Sequence, residues 1–414
     1  GHDVLFLERD ARWYAHNRDL PSPPYCRAIV YRDLGDLAAH LDEIRSADLV
    51  TVGSYVPEGI AIGDIVLREA RGVTAFYDID TPVTLARLEG GVDYLSKRQI
   101  PAYHLYLSFT GGPILDVLKE RYGARAPRPL YCSVDADHYA PDPSYTPVFD
   151  LGYLGTYSDD RQPVLDRLML DAARHWPGGR FVVAGPQYPK SIEWPTNVER
   201  VQHLAPDRHR GFYNSLRYTL NVTRRDMVAA GYSPSVRLFE AAACGTPIIS
   251  DAWPGLETFF VPDREILLSA GAPQTLAYLN DLAEDERTAI GCAARARVLR
   301  DHTSPSGSQR LACPPSAPKR CRSSACNVLP NCSRAGCRGF TGTASTTCRK
   351  PGRRQPGTGK RKDRPTTGTS IWACCVRTAH QNVRSGTSHG SRRHLAFVSG
   401  SISRTTGSTM RFAG

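Results

Sequence analysis

The sequence has few acidic residues near its C-terminus, few cysteines in its first 300 residues, and no long apolar run. Residues 301–414 contain only two of the 41 acidic residues, Asp301 and Asp363, but 20 of the 52 Lys and Arg residues. The formal charge is therefore +18 for this segment (20 − 2) and −7 for the first 300 residues (32 − 39), although the whole chain carries +11. The basic overall charge thus says nothing about the first 300 residues.

The cysteine pattern excludes a disulfide framework in the first 300 residues. Only four cysteines occur there, widely separated, at Cys26, Cys132, Cys244 and Cys292. This usage predicts a reducing, cytoplasmic location. No apolar run approaches the roughly 20 residues that a membrane-spanning helix needs. A peripheral membrane contact remains open.

Short apolar runs alternate with amphipathic segments over residues 1–145. The predicted strands are 4–7, 47–53, 73–80, 105–109 and 128–134. The predicted helices are 34–46, 58–70 and 112–123. Such alternation is typical of a parallel sheet covered on both faces, here a first Rossmann-like domain. The opening GHDVLFLERD is typical of a second strand, so we expect the natural N-terminus, with a first strand and a glycine-rich turn, to lie upstream.

A second α/β series follows a proline-rich linker, YAPDPSYTP at 139–147. Its predicted strands begin at 150, 180, 216 and 248, and a last helix covers about 273–300. Residues 150–302 are therefore predicted to form a second Rossmann-like domain.

Residues 303–414 have no periodicity and are rich in Ser, Thr, Arg, Gly, Pro and Cys. We interpret this stretch as a basic low-complexity tail that does not fold, either truly disordered or read out of frame. Its Cys spacing does not match a zinc site. Its basic runs lack a folded frame and interleaved aromatic residues, so a nucleic-acid partner is not favoured.

The stretch SPSVRLFEAAACGTPIISD, residues 233–251, predicts a helix that feeds a buried strand. Ser233 suits the N-cap, Pro234 the first helical position and Gly245 the end. Glu240 lies among small residues, where its carboxylate has room to accept two hydroxyl hydrogen bonds from a ribose. The free N–H groups around Ser235 suit a phosphate. The alternative is a surface glutamate paired with Arg237.

Two arginines follow the predicted strand LRYTLNVT. At the carboxyl end of a strand, Arg224 and Arg225 would face the crevice where open α/β sheets bind ligands. Guanidinium groups there suit a diphosphate leaving group, which needs its charge neutralised. The alternative is a pair of solvated loop charges. Arg237 would either join this clamp or pair with Glu240.

Two turns add further candidates. In GTYSDDR, residues 155–161, Gly155 permits close backbone approach and Thr156 supplies a hydroxyl. In FYDID, Asp78 and Asp80 form an Asp-x-Asp pair, whose carboxylates could hold a divalent metal ion that binds a diphosphate. We expect no bound metal, because the pair lies in the first domain, away from the predicted nucleotide site. A strand-end turn, acceptor binding and a general-base role remain open.

These motifs resemble those of group 1 glycosyltransferases of the GT-B fold, and most closely the spore-maturation, CgeB-like branch. The resembling text is FYDIDTPVT, LGYLGTYSDDRQP, VQHLAPDRHRGFYN and LNVTRRDMVAAGYSPSVRLFEAAACG, and the resemblance covers about residues 1–300. It implies that the first domain binds an acceptor and that the second binds a nucleotide-sugar, with Glu240 on the ribose and the loop at His203 on the base. Many relatives carry a second glutamate eight positions before the first. Tyr232 stands there, so their sugar-side contact does not carry over.

The sequence therefore predicts a metal-independent glycosyltransferase with Asp78, Asp80 and Arg224 as catalytic candidates. Its co-substrate would be a nucleotide-diphosphate sugar, with no other cofactor, and its acceptor a glycan, protein or lipid. A sugar-nucleotide epimerase on the same fold is one alternative. A catalytically inactive binding or assembly protein is another, because Tyr232 replaces a glutamate.

Overall fold

The structure is a computed structural model, and it describes residues 3–10, 22–303 and 394–400. Within them lie two parallel β-sheets, with helices between many of the successive strands. The predicted α/β class with two Rossmann-like sheets is therefore confirmed.

The first sheet has seven parallel strands in the order β2-β1-β13-β3-β4-β5-β6. Its strands are β1 (Asp3–Arg9), β2 (Arg27–Tyr31), β3 (Leu49–Gly53), β4 (Val73–Asp78), β5 (Leu105–Ser108), β6 (Pro127–Pro129) and β13 (His394–Gly400). The helices between them are α1 (Leu34–Ala38), α2 (Leu41–Ser46), α3 (Gly59–Glu69), α4 (Thr81–Leu88) and α5 (Ile114–Glu120). An apolar core lies between the sheet and these helices and includes Leu7, Val52, Ile62 and Phe76.

The helix predicted over 34–46 is two helices. Asp33 caps α1 by accepting a hydrogen bond from the Asp36 N–H at 2.9 Å. The chain then breaks at Ala39 and His40, and α2 begins at Leu41. The break lets each short helix bury one apolar side chain, Leu37 and Ile44 respectively.

Strand β13 contradicts the prediction that residues after 302 do not fold, for the seven residues His394–Gly400. It pairs in parallel with β1 on one side and β3 on the other. It therefore lies between β1 and β3 in the sheet. The first strand expected upstream of β1 stays a prediction. The physical reason is the run LAFV, whose four side chains are all buried in the sheet layers. The rest of the predicted tail lies outside the described residues.

The second sheet has six parallel strands in the order β12-β11-β10-β7-β8-β9. Its strands are β7 (Phe149–Leu154), β8 (Phe181–Ala184), β9 (Val198–Val201), β10 (Leu216–Asn221), β11 (Ile248–Ser250) and β12 (Leu267–Leu268). Its helices are α6 (Gln162–Leu165), α7 (Asp171–His175), α8 (His209–Asn214), α9 (Arg225–Ala230), α10 (Val236–Ala243), α11 (Ala272–Asn280) and α12 (Glu284–Asp301). The final helix predicted over 273–300 is therefore two helices, α11 and α12.

The segment that joins the two sheets packs on the second one. The predicted strand 128–134 forms only β6, and Val134 lies instead in the core of the second sheet together with Tyr139. The Val134 N–H donates to the carbonyl of His302 at 2.9 Å, at the end of α12. The carboxyl ends of both sheets then carry the polar side chains described next.

Candidate functional site

Glu240 lies on α10 and is buried, with 2% of its surface exposed. The Tyr213 hydroxyl, on α8, donates to its Oε2 at 3.2 Å. A carboxylate at this depth requires hydrogen-bond donors, because its desolvation is costly otherwise. The interpretation of Glu240 as a surface residue is therefore wrong.

The start of α10 differs from the prediction by two residues. Ser235, and not Ser233, is the N-cap, and its hydroxyl accepts from the Arg237 N–H at 3.4 Å. The Ser233 hydroxyl instead meets the Thr110 hydroxyl of the first domain at 2.9 Å. Tertiary contact has overridden the local capping preference of Ser233. The helix ends as predicted, with Gly245 at a positive φ of 74°.

Arg237 is directed toward the carboxyl end of the second sheet. Its guanidinium donates to the Leu154 carbonyl at the end of β7 and to Asn221 Oδ1 at the end of β10, the latter at 3.2 Å. It also lies 5.0 Å from the centre of the Tyr153 ring. Arg237 thus joins the ends of β7 and β10 to the start of its own helix. These contacts fix a positive charge beside the N-terminus of α10.

Arg161 is a second buried cation at this edge, and the sequence analysis missed it. It is 7% exposed, and its Nη2 donates to the Thr156 carbonyl at 2.8 Å. Its Nε is buried without a hydrogen-bond partner among the described residues. Such an unsatisfied donor is uncommon in folded proteins and points to an interaction with a ligand. Its place at the end of GTYSDDR, the turn that follows β7, indicates that it lies near this sheet edge, but it does not indicate burial.

Arg224 and Arg225 have different surroundings. Arg224 follows β10, and its Nε lies 3.5 Å from Asp160 Oδ2. The backbone N–H of Arg225 donates to that same oxygen at 3.1 Å, while its side chain is exposed. Only Arg224 therefore keeps its side chain in the interior of the site. The exposed Arg225 side chain therefore does not join the arginine clamp predicted for the diphosphate.

Buried polar groups fix the turn that carries Arg224. The Asp251 carboxylate, after β11, accepts from the Thr223 N–H at 3.1 Å and from its hydroxyl at 3.0 Å. Burial raises the pKa of Asp251, and its hydrogen bonds with Thr223 and Ser250 oppose this. Asn221 donates to Ser250 at 2.9 Å. The ends of β10 and β11 are therefore held together next to Arg237.

The remaining predicted residues of the second domain lie at the same strand ends. Gly155 is tightly enclosed, since an added Cβ would lie 2.6 Å from the Tyr153 hydroxyl and 2.9 Å from the Arg237 guanidinium. Thr156 is buried beside it. His203 lies in the loop after β9 with its side chain exposed, and no hydrogen bond joins it to another described residue. The structure therefore brings Gly155 and Thr156 to the arginines but leaves His203 outside their contacts.

Asp78 ends β4 in the first domain and is fully buried. Its Oδ2 accepts from the Tyr106 hydroxyl at 2.7 Å, and its Oδ1 accepts from the Thr84 hydroxyl at 2.9 Å. Burial raises the pKa of Asp78 above its ordinary value, although these hydrogen bonds oppose the rise. With its oxygens taken by neighbours, Asp78 is placed to orient the turn and not to meet a substrate. The prediction that it is catalytic is therefore not supported by its surroundings.

Asp80 lies two residues further on and is partly exposed. Its Oδ2 accepts from the Tyr55 hydroxyl at 3.0 Å. Burial raises its pKa to about 6, although the positive charges of Arg224 and Arg161 act in the opposite direction. An aspartate of the first domain thus interacts with two arginines of the second. A carboxylate with a pKa near neutrality is suited to general-base chemistry.

Comparison with known proteins gives a family-model match to part of the chain and a fold. The model of a family described as glycosyl transferase-like matches residues 161–311. HepE from Anabaena, solved with UDP and glucose, is similar with a TM-score of 0.54 and 14% identity, over 75% of this chain and 98% of its own. Sucrose-phosphate synthase from Thermosynechococcus elongatus gives 0.52 and 13%, over 75% of this chain and 87% of its own. The fold is GT-B.

These similarities to GT-B structures establish the architecture alone, because the identities are low. No curated protein sequence matches the chain. Among the described residues, no helix has the length and apolar character needed to cross a bilayer. Within those same ranges, no three His, Cys, Asp or Glu side chains are grouped so that they would hold a metal ion.

Proposed function

We propose that the chain is a group 1 glycosyltransferase of the CgeB-like branch that uses a nucleotide-diphosphate sugar. One observation carries the proposal. Arg161, Arg224 and Arg237 converge at the carboxyl end of the second sheet, beside the start of a helix that bears the buried Glu240. Cations and a helix N-terminus suit a diphosphate, and a buried carboxylate beside them suits ribose hydroxyls.

The chemistry follows from the placement of charge. As the bond between the sugar and the diphosphate breaks, negative charge grows on the leaving phosphate, and the arginines stabilise it. The acceptor oxygen forms the new bond to the anomeric carbon of the sugar, and Asp80, opposite, takes the proton of the acceptor hydroxyl. The proposal includes no metal, because three guanidinium groups supply the charge that a metal would otherwise supply. Activity unchanged by EDTA would agree with this part, and restoration by Mn²⁺ after EDTA would contradict it.

UDP is the first nucleotide to test, because HepE was solved with UDP and with UDP-glucose. Isothermal titration of UDP and UDP-glucose should show binding to the full chain. Glu240→Gln and Arg161→Gln should each weaken it about 10–100-fold, since a hydrogen bond to a charged group is worth roughly 1.5–3 kcal/mol. Matched controls are Glu286→Gln and Arg264→Gln, which alter exposed side chains of the same domain.

Titration together with analysis of the products separates the glycosyltransferase from the epimerase and from the inactive binding protein. If the full chain binds no UDP, GDP or TDP sugar, the proposal is wrong. Binding that Glu240→Gln leaves unchanged contradicts the assigned ribose contact. Release of UDP from UDP-glucose indicates transfer, whereas a changed sugar still attached to UDP indicates an epimerase. Binding with neither free UDP nor a changed sugar favours the inactive binding protein. The sequence argument for that alternative is that Tyr232 stands where many relatives carry a glutamate.

A further inference from the structure

Tyr232 has an unusual backbone conformation at the junction of the two domains. Its φ is 48°, in the left-handed region that residues other than glycine rarely adopt. Its N–H donates to the Pro254 carbonyl of the second domain at 2.7 Å. Its carbonyl accepts from the Gly111 N–H of the first domain at 3.0 Å. One strained residue therefore joins a loop of each domain, and such strain is typical of functional positions.

The ring of Tyr232 is held between two glycines, one from each domain. A Cβ added at Gly112 would lie 2.2 Å from the ring carbon Cδ2, and one added at Gly255 would lie 2.5 Å from Cδ1. No side chain fits at either position while the ring is present. The adjacent Thr110–Ser233 hydrogen bond, fully shielded from solvent, joins the same two loops. The ring therefore sets how closely these loops approach.

We propose that Tyr232 is a positioning residue for the sugar transfer, an inference that rests on the proposed function. The N-cap of α10 is Ser235, three residues after Tyr232. The loop of Gly111 and Gly112 follows β5, at the same sheet edge as Asp80. The Tyr232 ring thereby fixes the distance between the base in the first domain and the donor site in the second. Reaction rates depend steeply on such a distance, because the reacting atoms must start almost in contact.

The test combines four single variants with one double variant. Tyr232→Ala removes the ring, and Tyr232→Phe keeps it. Gly112→Ala places a methyl group against the ring at a positive φ of 62°. Gly91→Ala is its matched control, because Gly91 also has a positive φ, 86°, but has open space around it. In Gly112→Ala/Tyr232→Ala the added methyl group no longer meets the ring.

Three measurements are made on the full chain: UDP affinity by titration, UDP release from UDP-glucose, and unfolding by scanning calorimetry. For Tyr232→Ala and Gly112→Ala we expect UDP affinity within about twofold, UDP release at least about tenfold slower, and two unfolding transitions where the wild type has one. Tyr232→Phe and Gly91→Ala should behave as the wild type. The double variant should be no slower than either single variant.

Wild-type kinetics in Tyr232→Ala, or an equal loss in Gly91→Ala, would overturn the proposal. A loss of UDP affinity in step with UDP release would do so too, since it would mean that the ring shapes the nucleotide site itself. If the wild type neither binds UDP nor releases it from UDP-glucose, the proposed function fails. The calorimetric comparison still tests the junction in that case, and a single unchanged transition in Tyr232→Ala would refute it.

Discussion

The place of β13 in the first sheet leads to a sharp prediction about stability. Val398 is 1% exposed and lies between Leu7 of β1 and Val52 of β3 in the sheet register. Val398→Ala removes two buried methyl groups. At about 0.8 kcal/mol for each buried carbon, plus the energy of the cavity left behind, we expect a loss of about 2–3 kcal/mol in unfolding free energy.

Matched substitutions make this result specific. Val30→Ala is the same change in the same sheet, but Val30 is 45% exposed, so the expected loss is under about 0.5 kcal/mol. Val183→Ala, in β8, should destabilise the second sheet by an amount similar to Val398→Ala. Because the chain has two sheets, one unfolding curve does not separate them. Hydrogen exchange of amides in β3 and in β8 reports each sheet separately.

If Val398→Ala and Val30→Ala change the protection of β3 amides by the same small amount, the C-terminal strand does not stabilise the first sheet. A loss confined to β8 would also contradict the pairing. A loss confined to the first sheet, absent in Val30→Ala, would establish that seven residues near the C-terminus complete a sheet built almost entirely from the first 130 residues.

Two further predictions concern single side chains at the site. Tyr213→Phe removes the hydroxyl that donates to Glu240, so titration should show UDP binding weakened by about 3–10-fold, as the loss of about 1 kcal/mol would produce; unchanged affinity would mean that this hydroxyl does not orient the carboxylate. The raised pKa of Asp80, about 6 against an ordinary 3.8, means that the folded chain binds more protons than the unfolded chain between those values. Wild-type stability should therefore fall as pH rises through about 4 to 6, by at most about 1.4 kcal/mol per pH unit from this group, and urea unfolding of Asp80→Asn should lack that component.

Much of the fold could be predicted because buried parallel strands are short apolar runs. VTAFYD, RFVVA and PIIS each lie between turns, and the buried apolar side chains of each run lie in two clusters, so local sequence identifies β4, β8 and β11. Strand β13 could not be predicted in the same way. Its partners are about 390 and 345 residues away, and its neighbours in sequence carry no periodicity. The place of β13 is determined by pairing with strands that are far away in sequence, and local patterns do not show such pairing.

In the candidate site, too, some residues could be predicted from the sequence and others could not. Glu240 and Arg237 were identified because a helix and a strand with clear end signals surround them. Arg161 follows two aspartates in a turn, where an arginine is ordinarily interpreted as a solvated charge. Only the folded structure shows that it is buried and that its Nε has no hydrogen-bond partner in the described part of the chain. Tyr213 was missed for the opposite reason, because an aromatic residue on a helix is ordinarily a core residue.

The opposed charges at the two sheet edges allow one more prediction, in which binding and turnover change in opposite directions. Asp80 lowers the positive potential around Arg224 and Arg161, which a diphosphate would otherwise meet in full. Asp80→Asn should therefore leave UDP affinity unchanged or raise it a few fold. If Asp80 takes the acceptor proton, the same change should slow transfer by about 10²–10⁴-fold, the usual contribution of a general base.

The direction of the two effects decides the role of Asp80. A purely structural aspartate, held by Tyr55 and the β4 turn, would lose affinity and turnover together as the site loosens. Tyr55→Phe serves as the control, because it removes that hydrogen bond and keeps the carboxylate. If affinity and turnover fall in parallel in both variants, Asp80 only stabilises the turn, and the base must be sought elsewhere on the first sheet. If Asp80→Asn slows transfer while UDP affinity is unchanged or raised, and Tyr55→Phe changes both only slightly, the Asp80 carboxylate acts on the acceptor and does not help to hold the nucleotide.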